Sequence, residues 1–237
     1  MLKFFAMVIF SSLLSSCYSI PPTTVPITTI EYSSKETTNN HLLVFMVGIG
    51  DEVSAFEEAG FFNQLQNQDF DAIAVDSHFG YYKEHNISKR IYEDILNPNR
   101  DRYKKITILG ISLGGYGAIK TASDYPEFVN ELILIAPFLG SRKSAEALAE
   151  LDSLDDWPVT DNVNLGYFED SWLLLHKVLI EQETPITLAF GKQDKFAMQS
   201  NQLAKYLQDD DVVRIDGSHN WQTWSNIWNK LLTLKMI

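Results

Sequence analysis

Residues 104–118, KKITILGISLGGYGA, decide how the rest of the chain is interpreted. The apolar, β-branched run 106–109 predicts a buried strand, and the small residues at the end of the stretch predict a close-packed helix. Between them lies the pattern G-x-S-x-G, centred on Ser112. A serine on a sharp strand-to-helix turn leaves no room for side chains two residues before or after it, which explains Gly110 and Gly114.

Such a turn has a chemical use. It raises the Ser112 hydroxyl above the sheet edge and directs the backbone N–H of Leu113, at the start of the helix, to the same point. Ser112 is therefore a candidate nucleophile. The stretch resembles the nucleophile turn of α/β-hydrolases, and the resemblance implies that an acid and a histidine follow later strands of the same sheet.

Length and charge limit the remaining classes. A chain of 237 residues with 45% hydrophobic content can bury one sizeable core, so a single domain is expected. The net charge of −12 argues against nucleic acid or an anionic membrane surface as an electrostatic partner. The histidines are scattered and show no metal-binding spacing with cysteine, so we expect no metal or cofactor.

Further apolar runs predict the other strands. Because most of these runs do not alternate with polar residues, they indicate strands covered on both faces, as in a parallel sheet. We expect an α/β fold with a mostly parallel sheet of about seven strands and helices on both faces. An edge strand is predicted at 27–33 and further strands at 41–47, 71–76, 106–109, 132–136, 186–190 and 211–215.

Two further candidates follow strands of this sheet. Asp194 comes just after 186–190 and His219 after 211–215, so parallel strands would bring both to the edge that carries Ser112. His219 would take the Ser112 proton, and Asp194 would orient the imidazole.

Other carboxylates compete for the role of the acid. Asp209–Asp211 lie just before and at the start of the last strand, so they belong at the opposite sheet edge. Asp216 follows that strand but lies only three residues from His219, in the same loop, where it has little reach behind the ring.

The segment 217–224, GSHNWQTW, sharpens the resemblance. It is similar to the G-x-H-x-W-x-x-W signature of the esterase D-like and feruloyl-esterase-like branch of α/β-hydrolases. Residues 110–118 also resemble the nucleophile turn of that branch. The resemblance implies a second oxyanion-binding N–H on Ile49, in the loop Gly48-Ile49-Gly50. The alternative is a glycine-rich turn without a catalytic role.

Two more polar residues follow strands. His78 could be a base, but it precedes Ser112, against the chain order of the family, so we expect a structural or pocket-rim histidine. Asp51 is predicted to cap a helix that carries Phe56, Phe61 and Leu65 on one side.

Residues 138–184 contain no predicted strand. They lie where α/β-hydrolases insert a helical cap over the active site, although a solvated helical pair at the sheet edge is the alternative. The segment holds ten acidic and three basic residues. A cap with this charge would repel anionic substrates, such as coenzyme A esters and phosphoesters.

The N-terminus predicts export. One lysine followed by an apolar run that ends at Leu14 is typical of a signal peptide and too short to span a bilayer. The sequence Leu14-Ser15-Ser16-Cys17 resembles the bacterial lipobox, which implies a signal peptide over 1–16 and lipidation of Cys17. The alternative is an ordinary signal peptide with an incidental cysteine.

The lipobox also sets the predicted organisation and location. A tether would cover 17–40 and the hydrolase domain 41–237, and the protein would be anchored to a membrane of the bacterial cell envelope through Cys17.

These features predict a serine esterase that acts on a small neutral or weakly polar ester through an acyl-enzyme. Thioester, amide or lactone hydrolysis would use the same residues. A non-catalytic envelope lipoprotein that keeps the fold as a binding module is the alternative from another class.

Overall fold

The protein is built around one seven-stranded sheet. The computed structural model describes residues 20–33, 40–65, 68–151, 154–156, 168 and 170–237. Within these ranges the strand order is β1-β3-β2-β4-β5-β6-β7. The strands are β1 (Thr29–Tyr32), β2 (His41–Met46), β3 (Asp71–Val75), β4 (Lys105–Ile111), β5 (Glu131–Ile135), β6 (Ile186–Gly191) and β7 (Val212–Ile215).

The pairing confirms the predicted sheet. β1 lies at the edge and runs antiparallel to β3, whereas the other five pairs are parallel. The carboxyl ends of β2 to β7 therefore meet at one edge, which we call the catalytic edge. The helices are α1 (Ala55–Glu58), α2 (Phe79–Lys83), α3 (Ile87–Ile91), α4 (Asn97–Asn99), α5 (Leu113–Asp124), α6 (Arg142–Ala149), α7 (Ser171–His176), α8 (Ala197–Leu203) and α9 (Trp221–Leu234).

Helices cover both faces of the sheet, as predicted. Successive side chains of a strand point to opposite faces, and β2 shows what each face meets. The Phe45 ring packs against Phe56 of α1 and Trp228 of α9, at 5.1 and 5.6 Å between ring centroids. The next side chain, Met46, lies against Gly117 of α5 on the other face.

The prediction that Asp51 caps the first helix is wrong. Helix α1 is a single turn whose N-cap is Ser54, and Gly60, with φ of 79°, follows it. The Asp51 carboxylate accepts a hydrogen bond from Trp221 instead. Phe61 and Leu65 are buried as expected, but they lie beyond α1.

Part of the region 138–184 packs on the nucleophile helix. It contains α6, a 3₁₀ turn Leu154–Asp156, and α7 continued by a π turn Lys177–Glu181. The Tyr116 hydroxyl donates to Asp170 at 3.0 Å, and Lys177 Nζ donates to the Ser123 carbonyl at 2.7 Å. Residues 152–153, 157–167 and 169 lie outside the described residues, so a cap that closes over the site stays a prediction.

The chain before β1 runs along the catalytic edge. The Asp76 amide donates to the Thr28 carbonyl at 2.8 Å, and the Thr24 amide donates to the Tyr81 hydroxyl at 3.0 Å. The predicted signal peptide, Cys17 and residues 34–39 of the predicted tether lie outside the described residues. Among the helices in the described ranges, none is long and apolar enough to span a bilayer.

Candidate active site

Ser112 occupies a strained turn between β4 and α5. Its φ of 54° and ψ of −117° lie in a region that costs a non-glycine residue about 1–3 kcal/mol. The Ser112 carbonyl accepts hydrogen bonds from the amides of Gly115 at 3.0 Å and Phe138 at 2.8 Å. Hydrogen bonds from α5 and from the loop after β5 thus fix the backbone at Ser112.

The glycines on either side of Ser112 are sterically required. A Cβ on Gly110 would overlap the carbonyl oxygen of Gly114, and a Cβ on Gly114 would overlap that of Met46 in β2. Both obstacles are backbone atoms, which cannot move without disturbing the sheet or the helix. The steric explanation of the G-x-S-x-G pattern is confirmed.

The structure brings Ser112, Asp194 and His219 together. The Ser112 Oγ lies 3.0 Å from His219 Nε2, and His219 Nδ1 lies 2.9 and 2.8 Å from the two Asp194 oxygens. Ser112 and Asp194 are buried, at 4% and 7% exposure. This line of hydrogen bonds joins a hydroxyl, an imidazole and a carboxylate, the groups needed to activate a serine for attack on a carbonyl.

Two neighbouring loops hold the acid and the histidine in register. A Cβ on Gly191, at the end of β6, would overlap the carbonyl oxygen of Gly217, so the two backbones touch. Gln193 then bonds Gly217 twice: its amide donates to the Gly217 carbonyl at 3.0 Å, and its Oε1 accepts from the Gly217 amide at 2.6 Å. Sequence reasoning missed Gln193, although its position beside Asp194 was a signal.

Aromatic rings fix the plane of the His219 imidazole. Phe196, from the Asp194 loop, and Trp224, from α9, both lie nearly perpendicular to it, with centroids 4.9 and 5.0 Å away. Asn220 caps α9 by accepting from the Thr223 amide at 2.9 Å, so the helix begins directly after the histidine.

Neither competing acid approaches the histidine. The Asp216 side chain is 82% exposed and pairs with Lys192 at 3.1 Å. The turn Asp209–Asp211 precedes β7 and so lies at the opposite edge of the sheet. Of the carboxylates considered, Asp194 is the one that contacts His219.

His78 has a structural place. It is the N-cap of α2, where its Nδ1 accepts from the Gly80 amide at 3.1 Å, and its ring packs on Tyr81. A ring whose Nδ1 is used in this way is not free to act as a base through that atom.

The two predicted oxyanion donors lie on segments that adjoin the serine. Leu113 is the first residue of α5, where a backbone N–H has no acceptor within its own helix. Ile49 follows Gly48, and a Cβ on Gly48 would lie 3.3 Å from Ser112 Cβ. The Ile49 side chain is exposed. The role of these two backbone amides in binding an oxyanion stays a prediction.

A row of aromatic rings, three of them half-buried and Tyr116 buried, leads away from His219 and was not predicted. From Phe196 it passes to Phe138 at 5.3 Å between centroids, to Phe168 at 5.5 Å and to Tyr116 at 4.8 Å. The rings come from three loops and one helix, which no local sequence pattern links. They form a continuous row of ring contacts that begins at His219.

The described residues also lack the arrangement that a metal site requires. Among the described residues, no group of three or more histidine, cysteine, aspartate or glutamate side chains is arranged to hold a metal ion.

Comparisons with known proteins agree with this architecture. The family model described as serine aminopeptidase, S33, matches residues 37–157. No curated protein sequence matches the chain.

Several solved structures share the fold. S-formylglutathione hydrolase from Staphylococcus aureus aligns with a TM-score of 0.60 and 17% identity, over 81% of this chain and 80% of that one. Est1E from Butyrivibrio proteoclasticus, with ferulic acid bound, aligns with a TM-score of 0.62 and 14% identity, over 89% and 95%. A monoacylglycerol lipase from Paleococcus ferrophilus aligns with a TM-score of 0.53 and 15% identity, over 88% and 99%. At these identities the likeness concerns the fold alone.

Proposed function

The chain belongs to the serine aminopeptidase S33 family of α/β-hydrolases, and from that premise we propose that it is a serine esterase that cleaves small carboxylic esters through an acyl-enzyme on Ser112. The observation that carries the proposal is the hydrogen-bonded line from Ser112 Oγ through His219 to Asp194. A surface serine and histidine would seldom meet at 3.0 Å with a buried carboxylate behind the ring.

Acylation would use this line directly. Ser112 Oγ attacks the ester carbonyl carbon while His219 Nε2 accepts its proton. The carbonyl oxygen gains negative charge and would be met by the Leu113 and Ile49 amides. As the bond to the alcohol breaks, His219 returns the proton to the departing oxygen, and the acyl group stays on Ser112.

Deacylation repeats the sequence with water. His219 takes a proton from the water, whose oxygen attacks the acyl carbon, and then protonates Ser112 Oγ as the acid departs. Asp194 keeps the Nδ1 proton in place and stabilises the imidazolium in both steps. The tautomer is set by the buried carboxylate.

The aromatic row supports an uncharged substrate. Its rings offer apolar contact to an acyl or alcohol group beside Ser112, and the chain carries a net charge of −12. Both features disfavour a phosphorylated or multiply anionic ester. A second candidate reaction, removal of an N-terminal residue from a peptide, is favoured by the name of the matched family model.

The decisive experiment compares esters with amides. We expect the wild-type protein to hydrolyse p-nitrophenyl acetate and to react with a fluorophosphonate probe, and Ser112→Ala to lose both. Ser200→Ala is the control, because this buried hydroxyl of α8 has no partner among the described residues. Turnover of aminoacyl p-nitroanilides without ester turnover would favour the peptidase. An unlabelled, inactive wild type would favour the binding module.

We also propose that the protein works at the bacterial cell envelope, held by lipid on Cys17. The proposal is supported by the apolar run 4–14 and by the lipobox-like Leu14-Ser15-Ser16-Cys17. Two or more acyl chains on one cysteine hold a protein stably, whereas a single chain is marginal.

A further inference from the structure

Trp221 forms a hydrogen bond that the proposed mechanism does not use. It is the first residue of α9, two positions after His219, and its indole Nε1 donates to Oδ1 of Asp51 at 3.0 Å. Asp51 closes the loop 48–51, in which Ile49 carries a proposed oxyanion N–H. One bond therefore joins the loop that would hold the oxyanion to the helix that follows the proposed base.

The loop 48–51 is closed by a weak backbone hydrogen bond of its own. The Asp51 amide donates to the Gly48 carbonyl at 3.4 Å, near the outer limit of a hydrogen bond, and Gly50 has a φ of 80°. The Asp51 carboxylate is folded back over the turn: a Cβ placed on Gly48 would lie only 2.8 Å from its Oδ2. Such a turn depends on its side-chain anchor.

The indole is a rigid anchor. Its ring stands perpendicular to Phe56, with centroids 5.3 Å apart, and packs against Trp224 at 5.1 Å. Trp224 in turn packs edge to face with His219. Trp221 therefore contacts the loop through its N–H and the surroundings of His219 through its ring.

We infer that the Asp51–Trp221 hydrogen bond is a positioning element for hydrolysis, which fixes the loop 48–51 relative to Ser112 and His219. The inference rests on the proposed function. An oxyanion donor acts chiefly in the transition state, so a displaced loop lowers kcat and changes KM little. A displacement of about 1 Å can cost about 10²-fold in rate.

Three variants test the bond itself. Trp221→Phe keeps an aromatic ring but removes the N–H, Asp51→Ala removes the acceptor, and Asp51→Asn keeps an oxygen that can accept. With p-nitrophenyl acetate we expect the first two to lose about 10- to 100-fold in kcat, with KM within about threefold. Asp51→Asn should stay within about threefold of wild type. The double variant Trp221→Phe/Asp51→Ala should be no slower than either single variant, since both break the same bond.

Trp228→Phe is the matched control. It lies in the same helix and also loses an indole hydrogen bond, from Nε1 to the Phe61 carbonyl at 3.2 Å, but its ring packs on Phe45 and Phe61, away from Asp51. We expect a lower Tm and a kcat within about twofold of wild type. If Trp221→Phe behaves in the same way, or if the two single losses multiply in the double variant, the inference is wrong.

The wild-type result separates the two levels of the argument. An active, probe-labelled wild type with full kcat in Trp221→Phe overturns the positioning role alone. A wild type that neither hydrolyses the ester nor reacts with the probe overturns the proposed function and this inference together.

Discussion

The backbone N–H of Phe196 donates to Oδ1 of Asp194 at 2.8 Å, from within the same loop. Both oxygens of that carboxylate also lie within hydrogen-bond distance of His219 Nδ1. The loop that carries Asp194 therefore orients its carboxylate independently of the contact with His219. An amide in this place would keep its oxygen toward the Phe196 N–H and present its NH₂ group to the ring.

The first prediction uses this orientation. Asp194→Asn should force the wrong His219 tautomer and cut turnover by up to about 10⁴-fold, as loss of the orienting carboxylate does in serine proteases. Asp216→Asn, whose side chain is exposed, should cost less than about threefold. Both are measured as kcat with p-nitrophenyl acetate at matched Tm. A crippled Asp216→Asn would mean that Asp194 is not the acid.

The second prediction compares two glycines of α5. Alanine at Gly114 would overlap the Met46 carbonyl, whereas alanine at Gly117 meets the ends of the Tyr82 and Met46 side chains. Overpacking costs about 1–3 kcal/mol, and each kcal/mol lowers Tm by about 2–4 °C in a domain of this size. The backbone obstacle at Gly114 places its cost near the upper end of this range, and the side-chain ends at Gly117 place its cost near the lower end, so we expect Gly114→Ala to lower Tm by about 4–8 °C more than Gly117→Ala. Equal melting temperatures would contradict the steric account.

The third prediction concerns pH. Burial, and secondarily the charge of Lys105, lower the pKa of His41 from 6.5 to about 4, and its Nε2 lies 2.9 Å from Thr107 Oγ1. Because the unfolded chain binds this proton more readily, the stability from neutral His41 is complete above pH 6.5 and is lost as the pH falls through about 4.

The matched variant is His41→Gln, which stays uncharged at every pH. Between pH 7.5 and pH 4, wild type should lose more Tm than His41→Gln, by about 2–4 °C once solvent screening of the half-buried ring is allowed for. Thermal melts at both pH values give the comparison. Parallel losses in the two proteins would show that His41 does not titrate in this window.

The fourth prediction concerns the anchor. Cys17→Ser should abolish labelling by a fatty-acid analogue and move the protein from the membrane fraction to the soluble envelope fraction. Ser112→Ala should remain labelled and membrane-bound, because it leaves the lipobox-like sequence intact. A mature wild-type protein without acyl mass at Cys17 would refute the lipoprotein proposal.

Strand-end residues were the part of the site that sequence could predict. Ser112, Asp194 and His219 each follow an apolar run, and parallel strands must end at one edge, so local patterns imply a long-range meeting. The sheet was predictable because strands that are buried on both faces have continuous apolar sequences.

Contacts between loops were not predictable in this way. Capping is a local rule and places Asp51 at the nearest helix start, whereas its partner Trp221 is 170 residues away in the chain. Phe138 and Phe196 belong to different loops, and nothing in their spacing says that their rings meet. Such pairs depend on how loops pack over the finished sheet, which follows from tertiary structure.

The segment before β1 has a consequence for where the enzyme could find its substrate. The carbonyl of Pro21 lies beside Gly80 at the catalytic edge, where a Cβ on that glycine would be 2.8 Å from the Pro21 oxygen. The four residues from Cys17 to Ile20 span at most about 14 Å. A lipid on Cys17 would therefore keep this edge of the sheet close to the bilayer. Esters lying in or released at the membrane surface would be within its reach, whereas esters attached to distant cell-wall material would lie beyond it until they are released.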